Sequence, residues 1–133
     1  MIFEALLLPI SISVGARLLG VSRVQALLRQ WSLRTTRAAV PGPDLIRDAR
    51  RAQAIAKRLV GWGGNCLARS LTLWTILLRR GLSTDLRVGF RKREGRFEGH
   101  AWLEHEGAPV NETISEVLTY QPYERPMNFD QYR

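Results

Sequence analysis

Leu18, Leu19, Val24, Leu27, Leu28 and Trp31 recur at helical spacings with Arg17, Arg23, Arg29 and Gln30 between them, so the start of the chain reads as helix carrying one apolar stripe. Pro41, Gly42 and Pro43 must end that helix, because they interrupt its ladder of backbone hydrogen bonds. Asp44 then caps a second helix with apolar positions at Leu45, Ile46, Ile55, Leu59 and Val60 and a polar face dense in arginine. Gly61, Gly63 and Gly64 form a turn around Trp62, and Asn65 stands where an N-cap belongs, directly before Cys66. From Cys66 onward, Leu67, Leu71, Trp74, Leu77 and Leu78 trace a third helix. Gly81 ends it, after Arg79 and Arg80, whose charges suit a helix C-terminus.

Beyond Gly81 the period shortens to two. Leu86, Val88 and Phe90 alternate with Arg87, Gly89 and Arg91, and a second run follows from Phe97 through His100, Trp102 and Glu104. Glu106 and Gly107 make a turn into a short third strand over residues 109–112, which completes an antiparallel meander. Residues 119–133, with Pro122 and Pro126 among Tyr120, Tyr123, Phe129 and Tyr132, show no period and read as an irregular tail. The expected fold is α+β: N-terminal helices plus a helix beginning at Cys66, packed on a small antiparallel sheet. Residues 1–133 form one domain in this reading, with a helical part (1–60), a core (61–118) and a tail (119–133).

Composition narrows the function classes. The chain carries 20 Lys and Arg against 12 Asp and Glu, a formal charge of +8 that invites an anionic partner. Nucleic acid is not expected, because the cations are neither gathered on one groove-entering element nor interleaved with stacking aromatics. The densest run, residues 87–96 with Arg91, Lys92, Arg93 and Arg96, reads as a solvated hairpin tip. A single cysteine rules out an intramolecular disulfide, and a reducing, cytoplasmic setting is expected. Residues 2–19 are apolar apart from Glu4 and Arg17, but Pro9 interrupts them and they fall short of the ~20 residues a spanning helix needs. With no basic lead region, no secretory signal is read. Packing on the domain or a partner is the expected use of this stretch, and peripheral membrane contact is the alternative.

One constellation carries chemistry. A thiol attacks carbonyls as thiolate, and the unpaired amides and dipole at a helix start favour negative charge and also suit an oxyanion. Cys66 is expected at such a start. His100, 34 residues downstream and flanked by Gly99 and Ala101, is the candidate base; His105 is expected in solvent. A third group usually fixes which imidazole nitrogen holds the proton. Glu112 suits that role from an adjacent strand, with Glu104 and Asn111 as competitors. Arg69 is placed to pair with Glu112, Glu104 or a substrate carboxylate, or simply to be solvated. Trp102 is expected in the core or as a shield over the imidazole, and Trp62 with its glycines as a rim touching substrate. One Cys and two His at these spacings make no zinc motif, so neither metal nor cofactor is expected.

The run Cys66-Leu67-Ala68-Arg69-Ser70-Leu71, then Leu77-Leu78-Arg79-Arg80-Gly81, Gly99-His100-Ala101-Trp102-Leu103-Glu104 and Val110-Asn111-Glu112, resembles the leader peptidases of lasso peptide biosynthesis. These are cysteine proteases of the transglutaminase-like, papain-related superfamily. The resemblance implies a Cys66–His100–Glu112 triad that removes the N-terminal leader from a ribosomally made precursor. It implies three partners: the precursor with its leader, a separate leader-recognition protein of winged-helix type, and an ATP-dependent cyclase that closes the ring. The family most often has Asp where this chain has Glu112. Two other classes remain in view: a transglutaminase-like acyl transferase using the same residues, and a non-catalytic basic module that binds an acidic peptide.

Overall fold

The computed structural model describes residues 1–35, 42–61 and 64–122. Helices α1 (Ile2–Leu19), α2 (Val21–Arg34) and α3 (Gly42–Val60) lead into α4 (Cys66–Leu78), followed by strands β1 (Asp85–Arg93), β2 (Arg96–His105) and β3 (Ala108–Pro109), the single-turn helix α5 (Ile114–Val117) and β4 (Gln121–Pro122). The sheet runs β3-β2-β1-β4, with every pairing antiparallel. This is the expected α+β arrangement.

Helix α4 is the centre of the molecule: α1, α2 and α3 pack on one side of it and the β1–β2 hairpin on the other. A helix covered on both sides must be apolar nearly all round. From Leu71 to Leu77 every residue of α4 is buried, including Thr72 and Thr75, whose hydroxyls donate to the carbonyls of Ala68 and Leu71 at 2.7 Å each. The sheet offers Leu86, Ala101 and Leu103 to this core, all on one face by the register Leu86↔Leu103 and Val88↔Ala101.

The helical layer departs from the pattern of large apolar residues. The stripe from Leu18 to Trp31 is not one helix face, because Gly20 at φ +85 separates α1 from α2 and re-aims the chain. Only Val24 of that set is buried; Leu18, Leu19, Leu27 and Trp31 are exposed. In α3 the buried face is Leu45, Ala49, Ala52 and Ala56, while Ile55, Leu59 and Val60 point outward. Alanine at helical spacing lets α1 and α4 approach closely, so the bulky residues are the ones left outside. Asp44 sits within the first turn of α3 and pairs with Arg47 at 3.3 Å instead of capping it.

Pro9 does not interrupt α1. It is buried with Ala5, Leu8 and Ile12 on the core side, and that packing carries the helix through the lost hydrogen bond. By length and composition α1 could cross a membrane, yet its inward face packs on α4 while Phe3, Leu7 and Leu18 are exposed.

At the far end of α4, Arg79 and Arg80 close on Glu4 of α1, with contacts of 2.6 Å and 2.7 Å. Burial works to raise the Glu4 carboxyl, but hydrogen bonds and charge from Arg80 and Arg79 overcome it and bring its pKa from 4.5 to about 2. The two arginines are therefore fastened to a carboxylate, not left as solvated complements to the helix dipole.

The last segment is more ordered than its sequence suggests. Thr113 caps α5 by accepting from Glu116 N at 3.2 Å, and Gln121–Pro122 pairs with β1 as β4. The expected third strand shortens to Ala108–Pro109, and residues 123–133 lie outside the described residues. At the hairpin tip Arg93 pairs with Arg96 across the turn and is exposed, but Arg91 is largely sheltered, bonded to Glu98 at 2.8 Å and to Glu116 at 3.2 Å. Neighbouring carboxylates take Arg91 out of the solvated run.

Candidate active site

Cys66 is the first residue of α4 and is half-buried. Asn65 adopts the extended backbone of an N-cap, and its side-chain oxygen accepts from Ala68 N at 2.8 Å. Asn65 O accepts from Arg69 N at 2.9 Å. The amides of Cys66 and Leu67 have no helical partner by position, so the start of α4 presents donors beside the thiol.

His100 lies in β2, on the face opposite Ala101 and Leu103. Its Nε2 is 2.9 Å from Glu112 Oε2. A carboxylate only accepts, so Nε2 carries the proton and donates, which leaves Nδ1 as the basic nitrogen. Glu112 is steadied by its own loop, since Oε1 accepts from Thr113 N at 3.1 Å. The carboxylate reaches His100 from the loop beyond β3 and not from a paired strand position. The longer Glu side chain spans that gap.

The surroundings hold the pair in place by two routes. The first is a buried polar bridge: Ser70 Oγ donates to Ala101 O at 3.1 Å and accepts from Asn111 Nδ2 at 3.1 Å, while Asn111 Oδ1 accepts from Leu103 N at 2.8 Å. Ser70 is one helical turn after Cys66, Ala101 follows His100 and Asn111 precedes Glu112. One fully buried hydroxyl thus ties the elements bearing all three groups to one another.

The second route is aromatic. The His100 ring stacks on Tyr120 at 5.1 Å and on Trp102 at 6.0 Å, and Trp102 and Tyr120 are 6.1 Å apart. Trp102 is fully buried, and its Nε1 donates to Glu104 at 3.1 Å. Tyr120 is held by β4 pairing and by Arg91, whose guanidinium lies 4.4 Å from its ring centre. Gly89 makes this cluster possible: a Cβ there would come within 2.8 Å of Trp102 Cη2 and 3.0 Å of Tyr120 Cβ. Burial raises the Tyr120 phenol above its ordinary range; Arg91 opposes this, and the negative charges of Glu116, Glu98 and Cys66 add to it.

The structure joins His100 to Glu112 directly. Cys66 shares α4 with Ser70, which bonds to Ala101 and Asn111, and makes no hydrogen bond to His100 or Glu112 among the described residues; such bonds often tighten only when substrate is bound. Both competitors for the acid role are otherwise engaged, Glu104 with Trp102 and Asn111 with Leu103 and Ser70. Arg69 does not join the site. It is exposed on the α3 side of α4, where its carbonyl accepts from Gln53 at 2.9 Å, and it pairs with neither Glu112 nor Glu104 among the described residues. It lines a cleft with Gln53, Ala54 and Lys57 of α3. Trp102 is buried in the core, and its ring lies beside the His100 imidazole. Trp62 lies outside the described residues. His105 is part-exposed, 3.9 Å from Glu106.

Sequence reasoning passed over Ser70, Gly89 and Tyr120. Gly89 had a signal, a glycine inside an alternating strand, which marks close approach by another group.

A cysteine opens a central helix, and a histidine on the adjoining antiparallel sheet meets a carboxylate from the loop beyond β3, which are the residue types that thiol-based acyl chemistry uses. A family model described as the transglutaminase-like superfamily matches residues 6–125, and the chain belongs to that superfamily. Membership points to activity of the cysteine peptidase or acyltransferase kind. Neither the curated proteins nor the solved structures searched gave a match.

Proposed function

We propose that this protein is a cysteine peptidase that removes the leader from a lasso peptide precursor, with Cys66 as nucleophile, His100 as base and Glu112 as orienting acid. The observation that carries the peptidase reading is the 2.9 Å contact between His100 Nε2 and Glu112, which frees Nδ1 for a thiol at the capped start of α4. The lasso assignment rests on the sequence resemblance.

In this cycle His100 Nδ1 takes the proton from Cys66, and the thiolate adds to the carbonyl of the last leader residue. Amides at the start of α4 hold the oxyanion. The imidazolium gives its proton to the leaving nitrogen, so the core peptide departs as an amine and a thioester stays on Cys66. Water, deprotonated by the same imidazole, attacks the thioester; the leader leaves as a carboxylic acid and the thiol is restored. Glu112 stabilises the imidazolium in both halves. The cycle uses no cofactor. Its partners are the precursor, a separate winged-helix recognition protein that presents the leader, and an ATP-dependent cyclase that uses the freed amine.

The test is mass spectrometry of a candidate precursor incubated with recognition protein and either this chain or Cys66→Ala. Cleavage at one bond only by the native chain supports the reading, and equal cleavage by both removes Cys66 from the mechanism. Superfamily membership also favours a second reading, transfer of the thioester to an amine; a product heavier by the amine instead of a free leader acid identifies it.

A further inference from the structure

Helix α4 separates two environments. His100 approaches from the sheet side. On the helical side, a cleft of about 510 Å³ is lined by Ile12, Ala16 and Arg17 of α1, Val21 of α2, and Asn65 and Leu67, the two residues that bracket Cys66. Its volume suits one or two amino-acid side chains.

The chemistry of a peptidase assigns direction here. The imidazole must protonate the leaving nitrogen, so the segment after the scissile bond runs along the sheet side by His100 and Tyr120. The segment before it must leave Cys66 the other way, toward α1. There the wall is apolar at Ile12, Val21 and Leu67, and two polar features interrupt it. One is Ser13, whose side chain also lines the cleft, and the other is Arg17. Arg17 is exposed and has no ion pair among the described residues, whereas Arg79, Arg80 and Arg91 are all held by carboxylates.

We propose that this cleft is the acyl-side subsite: it takes an apolar side chain of the substrate close to the scissile bond, and Arg17 at its rim takes an acidic side chain next to it. The inference rests on the peptidase reading and adds to it the kind of peptide preferred.

The lone cysteine makes a direct test possible. Dipeptidyl acyloxymethyl ketones with Leu next to the ketone and Asp, Asn or Lys at the distal position would be compared by their rates of labelling Cys66, read by intact mass. The Asp probe should label the native protein about fivefold faster than the Lys probe, the size expected of a solvent-exposed ion pair. Arg17→Glu should reverse the order while leaving the iodoacetamide rate unchanged. Ala16→Phe, which fills the cleft, should slow all three peptidyl probes and spare iodoacetamide.

An Asp to Lys ratio that is the same in native protein and Arg17→Glu overturns the proposal. So does a failure of every peptidyl probe to label a thiol that iodoacetamide still modifies. The peptidase reading is judged separately, by Cys66-dependent cleavage of precursor, so the two fail independently.

Discussion

The two ends of α4 are built to opposite purposes. At its C-terminal end, Arg79 and Arg80 are clamped on Glu4, tying α1 to α4 through charge-assisted contacts of 2.6–2.7 Å. At its N-terminal end the contacts are neutral hydrogen bonds, the Asn65 cap and the Ser70 bond to Ala101, and His100 and Glu112 meet nearby. One end spends its charge on stability. The other leaves the Cys66 thiol and His100 Nδ1 without a hydrogen-bond partner among the described residues, with Tyr120 stacked on the His100 ring and Ser70 bonded to Ala101. In the proposed reading, chemistry and stability are separated along a single helix about 20 Å long.

That separation predicts which substitutions move activity and which move stability. The largest effect belongs to Cys66→Ala, expected to lower precursor cleavage on the order of 10⁴-fold or more with the melting temperature nearly unchanged. Retained cleavage in that variant would break the contrast outright. Glu112→Gln should lower kcat on the order of 10²-fold with little change in KM, because it affects the imidazolium and not substrate contact. A rise in KM alone would place Glu112 in binding.

Gly89→Ala sharpens the comparison, since the added carbon would displace Trp102 and Tyr120. We expect a loss of about 3 kcal/mol of stability from overpacking, with activity falling as well. Denaturant unfolding and cleavage assays should both register it; an active, equally stable variant would mean that the aromatic cluster does not position His100.

At the opposite end, Glu4→Gln should cost about 2 kcal/mol while leaving kcat of the remaining folded protein unchanged. Its pH behaviour has a definite sign. The folded pKa of about 2 lies below the ordinary 4.5, so the contribution is present above pH 4.5 and is lost as pH falls toward 2. Native protein and Glu4→Gln should therefore differ in stability at neutral pH and converge in acid. A constant gap across that range would assign the effect to packing. The smallest expected change is Asn65→Ala, about 1 kcal/mol for loss of the cap.

Much of the catalytic half was legible in the chain because its elements obey local rules. Asn65 before Cys66 announces a helix start, Gly81 its end, and the alternation around Val88 and Trp102 a two-stranded hairpin. His100 was identifiable as the candidate base by residue type and spacing, and Glu112 as one of three candidates for its partner. The helical half was less legible, since α3 buries Ala49, Ala52 and Ala56 beside Leu45 while Ile55, Leu59 and Val60 face outward, which weakens the signal that periodicity depends on. Tyr120 was hidden in a segment without period, because α5 and β4 are short and are held by Arg91 and β1, not by their own pattern.

By itself the sequence determined the α+β class, the start of α4, the hairpin and the three candidate groups, since each follows from local capping, periodicity or side-chain chemistry. Only the tertiary structure decided that Glu112 and not Glu104 or Asn111 meets His100, that Arg69 faces away, and that Ser70, Gly89 and Tyr120 stand behind the site. Those outcomes depend on register and on which helix face meets the sheet, and contacts between residues far apart in the chain leave no local periodicity to read.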